Sequence, residues 1–190
     1  ISGGVCASKG YKAAGMHCGI RKNPGKKDLA LILSSVPASA AAVYTTNLVK
    51  GAPIAVNKKH LANGIAQAII CNSGNANTCN ANGIEIANGM AELAAQYCGI
   101  SADDVFVAST GVIGEPLSLA PISLGMAPLA AALSRDGSID ACRAIMTTDT
   151  RPKEAAVSFT AGGKEVIIGG MCKGSGMIHP NMCTMLCFIT

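Results

Sequence analysis

Aromatic residues are scarce in this chain of 190 residues: they make up 3% of the sequence, and tryptophan is absent. The hydrophobic core must therefore consist of aliphatic residues and methionine, and the 22 glycines favour close packing of the backbone. The scarcity also argues against a nucleic-acid surface, because the basic residues have no aromatic residues interleaved with them. The net charge of +4 suits carboxylate-bearing ligands, although a solvated basic surface is the commoner explanation.

Long apolar runs and targeting signals are also missing from the sequence. No run approaches the roughly 18 apolar residues needed to cross a bilayer, and the amino end does not resemble a signal peptide. We therefore expect a cytoplasmic protein that does not interact with membranes. The length predicts one domain, residues 1–190, with enough chain to bury a core. The sequence starts without methionine and stops at Thr190 within an apolar segment, so we expect it to be one half of a longer protein.

The nine cysteines do not follow the spacing of a metal site or of a disulfide framework. Their number is odd and they include no CxxC pair; they lie at positions 6, 18, 71, 79, 98, 142, 172, 183 and 187. The three histidines form no cluster. Because several cysteines lie in apolar segments, where a thiol behaves as a small hydrophobic group, we expect reduced thiols, no bound metal and no cofactor. A cysteine-based metal or redox protein is the alternative, and metal analysis of the purified protein would reveal it.

Strands and helices alternate along the sequence, which predicts a mixed α/β fold. The predicted strands are residues 28–33, 40–46, 53–56, 67–71, 105–109, 155–160 and 165–169, the last two joined as a hairpin through Gly162-Gly163. The predicted helices are residues 57–61, 83–97, 127–134 and 139–146, with Asn57 and Ser138 as caps of the first and last. Residues 116–126 favour neither state. Residues 83–97 give the clearest pattern, because their apolar positions recur at helical spacing.

Two polar loops follow strands and are candidates for a binding site. The loop Asn72-Ser-Gly-Asn-Ala-Asn77 follows the strand at 67–71. Its asparagines tolerate left-handed backbone geometry and bond to local backbone groups, so a structural role is the default interpretation over ligand contact. Thr110 and Gly111 follow the next strand along the chain. Their hydroxyl and amide could face a developing oxyanion, or the two residues could simply form a turn.

The stretch from Gly169 to Thr190 combines a glycine-rich region, a single lysine and an apolar segment. Glycines allow the backbone to approach a ligand. Lys173 lies among them, so the stretch has the outline of an anion-recognition loop, although Lys173 could equally be a solvated loop charge. Thr184 begins the apolar segment, where threonine is usually present for its β-branched shape. The local pattern alone does not identify Thr184 as a nucleophile.

Five motifs of the sequence resemble one enzyme family. They are Gly3-Gly-Val-x-Ala-x-Lys-Gly-Tyr with Ala13-Ala-Gly; Asn72-Ser-Gly-Asn-Ala-Asn77; Ser109-Thr-Gly-Val-Ile-Gly114; Met146-Thr-Thr-Asp-Thr-x-Pro-Lys153; and Lys173-Gly-Ser-Gly-Met-Ile-His-Pro-Asn-Met-x-Thr-Met-Leu186. They occur in the order that they have in ornithine acetyltransferases, the acetyl-recycling enzymes of arginine biosynthesis. The resemblance implies a layered sandwich of mixed sheets and helices, a fold shared with self-processing aminopeptidases. Because members of that family are much longer, it also implies that residues 1–190 are the α-chain region of a precursor whose β-chain begins at Thr184.

The resemblance further implies how the chemistry is performed. Cleavage of the chain between Cys183 and Thr184 would expose the α-amine of Thr184, which would then activate the hydroxyl of the same residue. Thr184 would carry the acetyl group from N-acetylornithine to glutamate by a ping-pong mechanism. Relatives usually have a small residue such as alanine where this chain has Cys183, and the substitution could change the efficiency of self-cleavage.

By the same resemblance, four further residues complete the site in this half of the protein. The Thr110 hydroxyl and the Gly111 amide would stabilise the oxyanion of the tetrahedral intermediate. Lys173 would hold the substrate carboxylate, and Thr147 would add a hydrogen bond to the substrate. Thr147 could instead be a cap at the end of a helix.

The partners implied are N-acetylornithine, glutamate and the protein's own β-chain, in a heterotetramer of two α and two β chains. Some family members also acetylate glutamate from acetyl-CoA. Two other functions stay open: a related self-processing aminopeptidase or amidohydrolase, and a noncatalytic domain that binds a small ligand with its glycine-rich loops. A comparison of acetyl transfer to glutamate with release of free acetate separates a hydrolase from an acetyltransferase.

Overall fold

Two β-sheets and four α-helices form the part of the protein that the computed structural model describes, residues 1–175 and 185–190. The strands are β1 (Tyr11–Met16), β2 (Leu29–Ser39), β3 (Ile65–Asn75), β4 (Val105–Val112), β5 (Lys153–Ala161), β6 (Lys164–Lys173) and β7 (Leu186–Ile189). The helices are α1 (Ala52–His60), α2 (Gly83–Cys98), α3 (Ala120–Ala131) and α4 (Ser138–Ile145). None of these helices is both long and apolar enough to cross a membrane.

The first sheet has the strand order β1-β2-β3-β4, and the second has the order β5-β6-β7. Neighbouring strands are antiparallel except for β3 and β4, which are parallel and connected through α2. A parallel pair needs such a crossover because both strands run in the same direction. The carboxyl ends of β3 and β4 therefore lie side by side, at Asn75 and Val112.

Different hydrophobic clusters cover the two faces of the first sheet. One face packs against α2 and α3 with large aliphatic side chains, among them Leu29, Leu31, Ile70, Met90, Ile122, Met126 and Leu129. The other face packs against α4 and β6 with mostly smaller residues, among them Ala13, Ala30, Cys71, Ala108, Ala141, Ala144 and Met171. The elements are thus stacked in layers, with α2 and α3 on one side of the first sheet and α4 and the second sheet on the other. The predicted mixed α/β fold with layered sheets and helices is confirmed.

Elements with a strong local pattern form where the sequence predicts them. The helix predicted at 83–97 is α2, and it ends before Gly99, whose φ of 70° is left-handed. The strands predicted at 67–71 and 105–109 lie within β3 and β4, and the strand predicted at 28–33 corresponds to the first part of β2, which begins one residue later, at Leu29. The hairpin predicted through Gly162-Gly163 is β5–β6, and the apolar segment near the carboxyl end contains β7. The cysteines of the described residues are free thiols.

The strands predicted at 40–46 and 53–56 are wrong. Residues 40–46 follow the end of β2 and are not part of a strand. Residues 53–56 belong to α1, because Pro53 lies in its first turn, where proline is tolerated. Asn57 is therefore not a cap but an interior residue of α1. Its amide donates to the carbonyl of Val107 at 2.8 Å and accepts from the amide of Val107 at 2.8 Å, which ties α1 to β4.

The helices of residues 116–146 differ in their starts from the prediction. The ambiguous stretch contains the beginning of α3, so the helix predicted at 127–134 starts earlier and ends at Ala131. The helix predicted at 139–146 is α4, but its cap position is Gly137 rather than Ser138. The Ser138 hydroxyl instead accepts from the amide of Val5 at 3.1 Å and donates to Glu154 at 2.7 Å. The Ser138 side chain, which the local pattern assigns to helix capping, therefore makes long-range hydrogen bonds instead.

Candidate functional site

The paired carboxyl ends of β3 and β4 carry Thr110 on the face of the sheet that packs against α4. Ser73 is paired with Thr110, and the Ser73 hydroxyl donates to the carbonyl of Ala144 at 2.6 Å, near the end of α4. Cys71 and Ala108, two residues earlier on each strand, belong to the core on that same face. Because side chains alternate along a strand, Thr110 also points to this face.

The Thr110 side chain is buried but unsatisfied. It is 1% exposed, and within residues 1–175 and 185–190 its hydroxyl oxygen has no hydrogen-bond partner. A buried hydroxyl without a partner costs about 1–3 kcal/mol, so such groups call for a specific explanation. A ligand that accepts from the hydroxyl would satisfy it.

Gly111 is a position that only glycine can occupy. Its φ is +137°, and a Cβ there would lie 2.3 Å from the carbonyl carbon of Gly74 and 2.5 Å from the nitrogen of Asn75. The close approach joins the two strand ends and fixes where the Gly111 amide lies relative to Thr110. Thr110 and Gly111 thus lie next to each other at the end of β4, and their role as an oxyanion site stays a prediction.

The asparagine loop after β3 supports these strand ends through contacts with the backbone. The Asn75 amide donates to the carbonyl of Glu115 at 3.0 Å, and its oxygen accepts from the amide of Asn77 at 2.8 Å. The Asn77 side chain donates to the carbonyl of Gly83 at 2.9 Å. These contacts support the structural interpretation of the loop.

Asp149 is a buried carboxylate that connects the two other predicted substrate-binding residues. Its side chain is 3% exposed. It accepts from the backbone amides of Thr147 at 3.3 Å and Gly174 at 2.9 Å, and its Oδ2 lies 3.9 Å from the Nζ of Lys173. Lys153 donates to it at 2.6 Å. Sequence reasoning missed Asp149, although it lies within the motif from Met146; the one local signal was a lysine four residues later.

Lys173 is an almost fully buried cation at the end of β6. Its side chain is 3% exposed, and its Nζ donates to the carbonyl of Gly174 at 2.8 Å. Burial lowers the pKa of Lys173, and the neighbouring Asp149 opposes that change. Burial alone would raise the pKa of Asp149, but the hydrogen bonds from Lys153, Gly174 and Thr147 together hold the pKa below its usual range. The lowered pKa favours the carboxylate form of Asp149, and Asp149 in turn favours the ammonium form of Lys173.

Thr110 and Gly111, and the ion pair of Asp149 and Lys173, are connected to each other through α4 and the residues that follow it. Met171, two residues before Lys173 on β6, packs with Cys71 of β3 in one hydrophobic cluster. Thr147 follows the end of α4, whose Ala144 contacts Ser73. Asp149 thus connects Thr147 with Lys173, and Ser73, which is paired with Thr110, contacts the end of the helix that leads to Thr147. A common site for the four predicted residues stays a prediction. Cys183 and Thr184 lie outside the described residues, and Leu186, two positions beyond Thr184 in the sequence, is paired with Lys173.

Solved structures of other proteins share this fold, and two of them are compared with it in turn. The crystal structure of arginine biosynthesis bifunctional protein argJ from Bacillus halodurans matches with a TM-score of 0.86 and 41% identity, over 97% of this chain and 95% of that one. The crystal structure of ornithine acetyltransferase from Mycobacterium tuberculosis, complexed with ornithine, matches with a TM-score of 0.83 and 36% identity, over 93% of this chain and 94% of that one. The fold is therefore that of the ornithine acetyltransferases.

The family follows from the sequence comparisons. The model of the ArgJ family matches residues 12–190, and the chain belongs to this family. The arginine biosynthesis bifunctional protein ArgJ of Symbiobacterium thermophilum is 53% identical over all of this chain and 48% of its own length. That of Caldanaerobacter subterraneus is 47% identical over all of this chain and 47% of its own length. The resemblance inferred from the five motifs is confirmed, and the chain spans about half the length of these relatives.

Proposed function

We propose that the full-length protein is a glutamate N-acetyltransferase of arginine biosynthesis that moves an acetyl group from N-acetylornithine to glutamate. The observation that carries the proposal is the buried Thr110 hydroxyl, which has no partner within the described residues and lies next to the Gly111 amide. Two such donors suit the oxyanion of an acyl-transfer intermediate. The names of the relatives support the pathway, and we place the enzyme in the cytoplasm.

The nucleophile in this proposal is Thr184, released by cleavage of the bond that follows Cys183. The Thr184 hydroxyl adds to the carbonyl carbon of Cys183, the peptide C–N bond breaks, and the proton passes to the nitrogen. Water then hydrolyses the resulting ester, which regenerates the hydroxyl and leaves a new α-amine on Thr184. One observation on relatives supports a cut: the solved chains are 94–95% covered by this chain, whereas the full relatives are about half covered.

Acetyl transfer then proceeds in two half-reactions at Thr184. An α-amine has a pKa of about 7.7–8.0, so near neutral pH a substantial fraction can accept the proton of the adjacent hydroxyl. The hydroxyl attacks the acetyl carbonyl of N-acetylornithine, and ornithine leaves with the proton on its nitrogen. In the second half-reaction the amine of glutamate attacks the carbonyl carbon of the acetyl-threonine, the ester C–O bond breaks, and a proton from the glutamate nitrogen returns to the Thr184 oxygen. Thr110 and Gly111 donate to the oxyanion in both steps, an effect worth about 3–4 kcal/mol per donor in comparable sites.

Lys173 and Thr147 are the proposed substrate-binding residues of this half of the protein. The buried ammonium of Lys173 would bind the carboxylate that both substrates carry next to the reacting nitrogen. The Asp149 carboxylate accepts from the backbone amides of Thr147 and of Gly174, the residue after Lys173, and so holds both segments of backbone near the ammonium group. A cation with a fixed backbone around it is preorganised to hold the substrate beside Thr110 and Gly111.

The second half of the protein is the proposed partner chain, beginning at Thr184. The outer face of the second sheet carries exposed apolar side chains that such a partner would cover. They are Val157, Phe159, Ile168 and Ile189, which are 54%, 46%, 42% and 69% exposed. The register places all four on the face opposite Met171. We propose that two α and two β chains assemble into a heterotetramer.

The mass of the purified full-length protein tests the cleavage. We expect two chains for the parent protein, the second beginning with Thr184, and a single uncut chain for the Thr184→Ala variant. Thr160→Ala, at an exposed position of β5, is the matched control and should be cut like the parent. If the parent stays whole, or if Thr184→Ala is cut equally, the proposed mechanism is wrong.

The acceptor of the acetyl group tests the reaction class. With N-acetylornithine as donor, we expect stoichiometric formation of N-acetylglutamate and ornithine and little free acetate. Release of acetate without transfer would identify a hydrolase of the self-processing aminopeptidase type instead. The same assay with acetyl-CoA as donor tests the second activity, which the word bifunctional in the relatives' names suggests.

A further inference from the structure

Arg21 is a half-buried arginine that the proposed mechanism does not use. It lies between β1 and β2, and its Nη2 donates to the carbonyl of Met146, the residue that precedes Thr147. Its Nε is buried and has no hydrogen-bond partner in the parts of the chain that the structure describes. An unsatisfied donor on a charged group is costly to bury, so this nitrogen is suited to an acceptor that is not part of these residues.

The surrounding backbone fixes the course of the Arg21 side chain. The buried Asp28 carboxylate accepts from the amide of Arg21 at 2.9 Å and from the amide of Cys18 at 2.6 Å. The side chain then passes Gly74, where a Cβ would lie 2.9 Å from the Cγ and 3.6 Å from the Nε of Arg21. Gly74 is the same residue that Gly111 approaches so closely. Arg21 therefore lies beside the backbone that positions Thr110 and Gly111.

A short series of contacts connects Arg21 with Lys173. Arg21 donates to the carbonyl of Met146, and Asp149 accepts from the amide of the next residue, Thr147, and lies 3.9 Å from the Nζ of Lys173. Burial is the largest cause that lowers the pKa of Lys173, and the charges of Lys153 and Arg21 lower it further. Burial likewise lowers the pKa of Arg21, opposed by Asp28. The Asp149 carboxylate is shared between Lys153 and Lys173. Neighbouring buried cations are stabilised when an anion joins them.

We propose that Arg21 is a second cationic residue of the substrate site and that its Nε donates to the α-carboxylate held by Lys173. The inference rests on the proposed function and adds a residue to it. In N-acetylornithine and in glutamate, the α-carboxylate has the same position relative to the reacting nitrogen. A single carboxylate site built from Lys173 and Arg21 therefore serves both half-reactions. This site does not distinguish the side chain of ornithine from that of glutamate.

The test compares a carboxylate substrate with its carboxamide in the self-processed full-length enzyme. We expect Arg21→Met to lower kcat/KM for N-acetylornithine by about 10- to 100-fold, the usual effect of losing a charge-assisted hydrogen bond. The value for the carboxamide of N-acetylornithine should change much less, so the preference of the enzyme for the carboxylate shrinks. The KM for glutamate should rise to a similar extent. An unchanged preference for the carboxylate in Arg21→Met would overturn the proposal.

Arg21→Gln tests the Nε donor apart from the contact with Met146. The glutamine side chain ends at the position of the Arg21 Nε, so its uncharged amide can still donate to a carboxylate there but cannot reach the carbonyl of Met146. We therefore expect Arg21→Gln to keep more of the carboxylate preference than Arg21→Met. If Arg21 acts only by fixing Met146, both variants lose kcat/KM equally for the carboxylate and the carboxamide, and the proposal fails. Arg143→Met is the matched control, because its side chain is 57% exposed on α4. It should behave like the parent enzyme.

Titration calorimetry measures ligand affinity directly, so it tests carboxylate binding by Arg21 without depending on catalysis. The ratio of the affinities for ornithine and ornithinamide should fall most in Arg21→Met, less in Arg21→Gln and not at all in Arg143→Met. If the parent enzyme transfers no acetyl group, the proposed function fails, and this ratio still decides whether Arg21 binds a carboxylate. Equal ratios in all four proteins contradict the role of Arg21 whether or not the enzyme is active.

Discussion

The two faces of the first sheet have different compositions and different tasks. The face toward α2 and α3 is filled mainly by large aliphatic side chains, such as Leu31 and Met90. The face toward α4 begins with small residues and ends in buried polar ones, Ser73 and Thr110. Small residues let α4 approach the sheet closely, so that the residues after α4 reach the strand ends. The first face supplies stability, and the second positions the reactive groups.

We expect the largest loss of stability from a substitution that creates a cavity on the aliphatic face. Leu31 is fully buried in that cluster, and removal of buried methyl groups leaves a void. We expect Leu31→Ala to lower the free energy of unfolding by about 2–5 kcal/mol, while kcat of the folded enzyme stays near that of the parent. Chemical denaturation of the full-length protein, with kcat measured well below the transition, checks both. A loss of kcat without a loss of stability would contradict the division between the faces.

The opposite behaviour is expected for Thr110→Val on the other face. The substitution keeps the shape but removes the unpartnered hydroxyl, so stability should stay the same or rise by about 1 kcal/mol. The lost oxyanion donor should lower kcat by about 100- to 1000-fold with little change in KM. Steady-state kinetics and denaturation of the same preparation give the two values. A variant that unfolds more easily and keeps its kcat would show that Thr110 is an ordinary core residue.

Local sequence patterns predicted the elements that build the aliphatic face. The helical spacing of residues 83–97 and the apolar run at 67–71 are recognisable without knowledge of the fold, and they became α2 and β3. Local patterns gave wrong predictions for short apolar runs whose secondary structure depends on contacts with distant parts of the chain. Residues 53–56 could be a strand or a helix by composition, and Pro53 in the first turn together with the contact between Asn57 and Val107 favours the helix.

The candidate site was only partly predictable for the same reason. Thr110 and Gly111 were found because they follow a strand, and a strand end is a local feature of the sequence. The role of Asp149 depends on Gly174, which is 25 residues away in the chain. The position of Arg21 depends on Met146, which is 125 residues away. Such contacts arise from packing of the layers, and no local spacing encodes them.

Asp149→Asn tests the electrostatic part of the polar face. Because the folded-state pKa of Asp149 lies below its ordinary value, the carboxylate stabilises the fold above the unfolded-state pKa of about 3.9. This contribution is lost as the pH falls through the folded-state pKa. We expect the variant to be less stable by about 1–3 kcal/mol at pH 7, with a raised KM. The difference in stability should shrink below about pH 4, and a difference that does not depend on pH would point to a steric cause.

Asp140→Asn should have the smallest effect, and it isolates burial as the cause of the difference between two carboxylates. Asp140 also has two cationic neighbours, the Nζ of Lys27 at 3.0 Å and the Nη1 of Arg143 at 3.8 Å. Its side chain is 43% exposed, however, whereas that of Asp149 is 3% exposed. Ion pairs at the surface contribute about 0–1 kcal/mol because water and salt screen them. We therefore expect a stability change of that size, reduced further in high salt, and unchanged KM and kcat. If Asp140→Asn costs as much as Asp149→Asn, burial does not explain the strength of the Asp149 contacts.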